Sequence, residues 1–335
     1  MNAYKSNILW MSLILLTTYL DPLYSQINEG HLAQAQAKMV KVYGSGGFAN
    51  LHSYQSGIFI DDAGTVLTVW SHVLDGKIVV VDNSGKRSIA EFAGMDPQTE
   101  LAVLNTELVN NSFFDLNAIP EIFSGMSIFG ISNLFGIAAQ NEQQSLLSGV
   151  ISGISSLDGA SGRFDTPYRG EIILVDLIVN NPGAAGGAII DYRGQLVGLI
   201  GKELKEKSTG LWLNFCLPLK VTRDSVKSIQ EGASNNNSKK AKVRRPFRWQ
   251  EIGVQWVPAV FKTTRPYVDR VADDSVGEKL GFQPDDLVVF INNQAIRTQA
   301  DLNSAMQSID RDEKFTVIVR RNNKLITINV SRVKS

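Results

Sequence analysis

Between Tyr43 and Leu219 the apolar residues come in short runs, each broken by a turn signal, and no long stretch keeps a helical period. "GIFIDDAGTVLTVW" reads as strand, Asp-Asp-Ala-Gly turn, strand, and "KIVVVDNSGKRSIAEFAGM" repeats the scheme around Asn83-Ser84-Gly85. "SIFGISNLFG", "LLSGVISGISSL", "EIILVDLIV" and "AIIDYRGQLVGLIG" continue it. Many short strands without long amphipathic helices between them predict an all-β barrel or sandwich. Val221 to Glu231 predicts a short helix that closes this unit. A chain of 335 residues that is 44% hydrophobic has enough apolar side chains for one or two such cores.

The pattern changes at "GASNNNSKKAKVRRP", Gly232 to Pro246, which is polar, basic and nearly free of apolar residues. It predicts a flexible linker that trypsin cuts first. Beyond it, "IGVQWVPAV", "YVDRVADD", "DLVVFINNQAI" and "KFTVIVRRNNKLITINV" read as strands, the last as a hairpin turning at Asn322-Asn323. Short helices fit at Ser275 to Leu280, stopped by Gly281, and at Gln299 to Ile309. In the second of these, Leu302, Ala305, Met306 and Ile309 share a face. Residues 247–335 therefore read as a compact α+β module. At the other end, Ile8 to Leu20 has the length of a secretory h-region, and Leu23-Tyr24-Ser25 is an imperfect cleavage site. The expected organisation is a signal peptide or anchor at 1–25, a β domain at 43–231, a linker at 232–246 and the module at 247–335. The folded part is expected outside the cytoplasm, in a periplasm or secreted.

Thirty-three basic and thirty-three acidic side chains cancel, which argues against nucleic acid as a partner. A single cysteine, Cys216, excludes an intramolecular disulfide and a CxxC metal site, and no metal or cofactor is called for. The segment "NNPGAAGGAII", Asn180 to Ile190, has the turn and glycine content of an active-site loop. Its apex, however, is Ala184-Ala185, and a methyl group does no chemistry. Hydrolysis by a triad needs a hydroxyl or thiol, a histidine and a carboxylate. The histidines are His31, His52 and His72, of which His72 lies between a strand and a turn.

Aligned by motif, "QSGIFIDDAGTVLTVWSHVLDG" resembles the histidine segment of the HtrA/Deg family, trypsin-like serine proteases that carry PDZ domains. "MDPQTELAVLN" resembles that family's Asp-Pro-x-Thr-Asp-Leu-Ala-Val-Leu segment, "FGISNLFG" its Gly-Asn-Pro-Phe-Gly segment, and "VDLIVNNPGAAGGAIIDYRGQLVGLI" its nucleophile segment. "EIGVQWV" and "VGEKLGFQPDDLVVFINNQAI" resemble a PDZ domain. The resemblance implies a mostly β fold, a chymotrypsin-like double β-barrel followed by a PDZ α+β domain. Carried over residue by residue, His72 falls on the base position, Glu100 on the acid position and Ala185 on the nucleophile position. Gly183, Ala184 and Ala185 fall on the oxyanion-hole turn, and Ala188 replaces a proline. The implied protein is a proteolytically inactive member that acts as adaptor, chaperone or regulator. The alternative is an active endopeptidase with an unorthodox nucleophile such as Ser71 or Cys216. The PDZ likeness implies capture of protein C-termini or unfolded polypeptides beside Ile252, Gly253 and Val254, with Leu302, Ala305 and Met306 as pocket residues. Glu251 in that loop would repel a carboxylate if its side chain pointed inward. The family's habit of trimerising through aromatic residues points to Tyr43, Phe48 and Tyr54.

Overall fold

The computed structural model describes residues 29–44, 53–157, 164, 166–236, 245–261, 264–292, 294–322 and 324–331. The expected signal or anchor, Phe48, His52 and most of the expected linker lie outside them. No helix of the described residues is long and apolar enough to cross a membrane.

Two closed six-stranded barrels form the first unit. In the first, β1 (Met39–Gly44), β2 (Tyr54–Phe59), β3 (Thr65–Val69), β4 (Ile78–Val81), β5 (Arg87–Asp96) and β6 (Leu101–Asn105) close in the order β1-β2-β3-β6-β5-β4. In the second, β7 (Ser127–Ser132), β8 (Ser145–Ser156), β9 (Glu171–Val175), β10 (Ala188–Ile190), β11 (Leu196–Ile200) and β12 (Phe215–Pro218) close as β10-β11-β12-β9-β8-β7. Successive side chains on a strand point to opposite faces. Phe59, Val66 and Leu104 fill the first barrel, while their neighbours Ile58, Leu67 and Val103 face out of it. Those outward residues pack with Ile190, Leu199 and Leu217 of the second barrel, whose own interior holds Ile189, Val197 and Cys216. Both faces of these strands are therefore buried, so their sequences are continuous apolar runs and not an alternation. The helix that follows β12 packs into the same core between the barrels.

Two helices and the first strand depart from the sequence reading in this unit. A helix α1 (Glu29–Ala37) precedes the barrels and carries His31; nothing in its weakly patterned sequence announces it. The first strand begins at Met39, four residues before the expected boundary at Tyr43. Lys38 and Lys41 disguised it, since Lys41 is fully buried and reaches the carbonyl of Gln140 at 2.7 Å through its Nζ. Burial lowers the pKa of that ammonium, opposed by Glu142 and Asp82. The closing helix α2 (Leu219–Asn236) extends five residues past Glu231 into the expected linker. Leu219, Val226 and Ile229 of α2 join the core between the barrels.

The C-terminal module has a two-stranded sheet, β13 (Val254–Trp256) with β14 (Val268–Val271). A second sheet runs β16-β15-β17-β18, from β15 (Leu287–Ile291), β16 (Gln294–Ala295), β17 (Phe315–Arg321) and β18 (Lys324–Val330). Helix α3 (Val276–Leu280) is capped by Ser275 and ended by Gly281 in the left-handed region. Helix α4 (Gln299–Met306) starts with a Thr298–Asp301 capping box and ends three residues before the expected Ile309. Edge-to-face contacts of Trp249 with Phe247, Phe282 and Phe315 centre the module's core. The sheet docks on the first barrel, where Leu287, Val289, Phe290 and Ile318 pack with Trp70 and Phe92.

Candidate functional site

The stretch from Asn181 to Gly187 is two consecutive turns: the Ala184 N–H donates to Asn181 O at 3.0 Å and the Gly187 N–H to Ala184 O at 2.9 Å. Gly183 and Gly186 have φ of 86° and 82°. A Cβ on Gly183 would lie 2.1 Å from Asn133 O, and one on Gly186 2.2 Å from Ser56 O, so only glycine fits either position. Three carbonyls of the segment are tied back to the barrels. Pro182 O accepts from the Phe135 N–H at 2.8 Å, Gly183 O from Ser56 Oγ at 2.7 Å, and Ala185 O from the Ser56 N–H at 3.0 Å. A trans peptide sets the N–H opposite the carbonyl of the preceding residue. The Gly183 N–H therefore points away from the Pro182 anchor, the Ala185 N–H lies opposite the Ala184 carbonyl that accepts from Gly187, and neither N–H has a hydrogen-bond partner among the described residues. Both residues line a cleft of about 830 Å³.

Ser56 is the fastener here, and sequence reasoning did not single it out. Its buried hydroxyl donates to Gly183 O and accepts the Asn133 N–H at 2.8 Å. Ser56→Ala strands both buried groups and is expected to lower unfolding stability by about 1–3 kcal/mol. A denaturant midpoint unchanged from the natural chain would show that the turn holds without this clamp.

His72 opens a one-turn 3-10 segment, His72–Asp75, at the end of β3. The sequence reading placed His72 between a strand and a turn and offered Ser71 beside it as an alternative nucleophile. Ser71 is instead the cap of this turn: its Oγ accepts the Val73 N–H at 3.1 Å and donates to Gln55 Oε1 at 2.5 Å. Glu100 sits in the turn between β5 and β6 with φ of 56°, its N–H bonded to Asp96 O and its carbonyl to the Trp70 N–H. His72, Glu100 and Ala185 all line the same cleft, so the chain brings together the three positions singled out from sequence. Their pairing differs from that of a triad. The Glu100 carboxylate accepts from Lys202 Nζ at 2.9 Å, and no hydrogen bond joins it to His72. Lys202 lies 5.7 Å above the Trp70 ring. Its only signal in the sequence was the lysine-rich run "GKELKEKS" after β11.

The other candidate nucleophiles are committed elsewhere. Cys216 is fully buried inside the second barrel, and burial pushes its thiol up, away from the thiolate. The Ser71 hydroxyl is held between Gln55 and Val73. No group of three His, Cys, Asp or Glu among the described residues has metal-binding proximity. The arrangement offers two preorganised N–H donors, a histidine, a lysine–glutamate pair and a methyl group at the turn's apex.

A trypsin-like peptidase domain model matches residues 55–199, and a PDZ domain model matches residues 267–321. The chain is a trypsin-like peptidase domain followed by a PDZ domain, with HtrA-type homologues. It is 28% identical over 291 residues to "Probable periplasmic serine endoprotease DegP-like" of Marinomonas sp., covering 83% of this chain and 56% of that protein. Against "Serine endoprotease DegS" of Haemophilus influenzae it is 27% identical, covering 82% of this chain and 75% of the relative. The chain thus spans little more than half the length of the DegP-like relative. Among solved structures, an HtrA-type protease AlgW with decapeptide is similar over 92% of this chain and 98% of that one, at 21% identity and a TM-score of 0.47.

In the PDZ domain, Gly253 adopts φ of 80° in the loop before β13, and a Cβ there would meet the Ser275 Cβ at 2.5 Å. Ile252 and Val254, flanking it, are buried in the domain core. β13 pairs with β14 alone, so no strand among the described residues occupies its other edge. Glu251 is held by Arg311 Nε at 3.1 Å. Leu302, Ala305 and Met306, expected to line an open pocket, are 1%, 2% and 5% exposed and pack in the core with Phe247 and Phe315. The Gln299 side chain ties the start of α4 to the Val257 carbonyl. Two of the aromatics expected at a trimer contact are engaged within the chain. The Tyr43 hydroxyl donates to Ala138 O at 2.8 Å, and the Tyr54 ring lies against Gly136 and Gly183.

Proposed function

We propose that this chain is a non-catalytic HtrA-type protein that holds polypeptide segments as an adaptor, chaperone or regulator in an extracytoplasmic compartment. One observation carries the reading: Ala185 stands at the apex of an otherwise intact glycine turn, where a hydroxyl would be needed. No base activates a methyl group. The capture of Glu100 by Lys202 supports the same reading, because it takes the carboxylate that would orient His72. The names of the DegP-like relatives support a periplasmic location. The free edge of β13 and the loop Ile252-Gly253-Val254 support strand addition by a peptide in the manner of PDZ domains. A trimer, as the resemblance implies, belongs to this proposal. Incubation of the purified chain with unfolded casein is expected to leave the casein intact. Cleavage that persists through further purification and is lost on His72→Ala would overturn the reading.

A further inference from the structure

We infer that Gln299 latches the peptide groove of the PDZ domain shut in the ligand-free chain, so that a polypeptide C-terminus enters only when this residue lets go. Such control rests on the proposed capture of polypeptide ends beside β13. The two walls of that groove are β13 and α4, and the first residue of α4 ties them together. The Gln299 side chain donates through Nε2 to the carbonyl of Val257, the residue that follows β13. Its main-chain N–H donates to Thr264 O at 2.9 Å. Both acceptors belong to the connection from β13 to β14, so one residue straps that connection to the helix. Gln299 is only 9% exposed, and a hydrogen bond shielded from water is stronger than the same bond in solvent.

The strapped conformation is closed, and it leaves two donors unused. Leu302, Ala305 and Met306 of α4 share one core with Ile252 and Val254, so the chain's own packing occupies the positions where a terminal side chain would sit. The indole Nε1–H groups of Trp249 and Trp256 are buried and have no hydrogen-bond acceptor among the described residues. Trp256 lies on β13, and Trp249 opens the 3-10 turn Trp249–Ile252 just before it. Their rings meet edge to face at 4.9 Å, a contact that gives neither N–H an oxygen. Buried donors without acceptors cost stability, and an opening that admits water or a peptide carbonyl recovers it. The closed state is thus stabilised at Gln299 and penalised at the two indoles, the arrangement of a two-state element that a ligand can tip.

The test uses the full chain in its natural form and as Gln299→Ala and Gln299→Glu, neither of which donates to the Val257 carbonyl. The probe is a fluorescein-labelled hexapeptide, Gly-Ser-Tyr-Ala-Leu-Val, as free acid and as C-terminal amide. Apparent affinity scales with the fraction of chains whose groove is open, and loss of one neutral hydrogen bond from the closed state raises that fraction about three- to tenfold. Anisotropy is therefore expected to show both variants binding the free acid about three- to tenfold more tightly than the natural chain. Hydrogen exchange keeps the result readable if a variant loses stability. It should quicken in residues 254–257 and 299–306, with the strands β15, β17 and β18 protected as in the natural chain. Equal affinity in all three chains, or weaker binding by both variants, would overturn the latch and leave peptide capture in place. Faster exchange throughout the PDZ domain without a gain in affinity would make Gln299 a structural residue and overturn the latch as well. If none of the three chains binds the free acid above the amide, the capture reading falls together with the latch.

Discussion

Ala185→Ser alone is expected to recover little proteolysis. The serine would sit in a turn whose N–H donors are already in place, yet its base would lack an orienting carboxylate. Glu100 is bonded to Lys202 at 2.9 Å, inside a turn that its own N–H and carbonyl fix to Asp96 and Trp70. Loss of the orienting acid in a serine triad costs about 10⁴ in kcat. The single variant should therefore fall about 10³-fold or more short of the triple variant Ala185→Ser/Glu100→Asp/Lys202→Ala. The comparison is kcat/KM on one unfolded substrate, with all variants matched in melting temperature. If the single variant already equals the triple, the lysine–glutamate pair is no obstacle and Ala185 is the sole lesion.

Met306→Asp is expected to destabilise the PDZ domain by about 2–5 kcal/mol, the combined effect of a cavity and a buried carboxylate without a partner. Met306 is 5% exposed and packs in one cluster with Phe247, Trp249 and Phe315, so its side chain belongs to the core in this conformation. The alternative is a groove residue, for which the same substitution would weaken peptide binding and leave stability nearly unchanged. Denaturant unfolding and peptide affinity on one preparation distinguish them. A loss of affinity without loss of stability would mean that α4 moves aside to open the groove.

Much of this architecture is legible in the residues, for a physical reason. Short strands buried on both faces, such as β3, β6 and β11, write themselves as apolar runs, and the turns between the barrel strands need residues such as Gly64 and Gly85 with φ near 90°. The turn at Asn181 to Gly187 was equally visible, because no other residue fits at Gly183 or Gly186. The missed features depend on partners far away in sequence. Lys41 reads as a solvated charge until its ammonium finds Gln140, 99 residues on, and that concealed the start of β1. Lys202 meets Glu100 across 102 residues, a pairing with no local signature. Ser56 looked like any strand serine, although it clasps a turn 127 residues away. Helical spacing on α4 placed Leu302, Ala305 and Met306 on one face but could not say whether that face met a ligand or a core.

The central claim is that the cleft holds no competent nucleophile, and labelling with a fluorophosphonate probe tests it most directly. Intact-mass measurement after prolonged exposure, with trypsin as the reagent control, is expected to show the purified chain unmodified. A stoichiometric adduct that peptide mapping places on a residue of the cleft, Ser71 foremost, would contradict it.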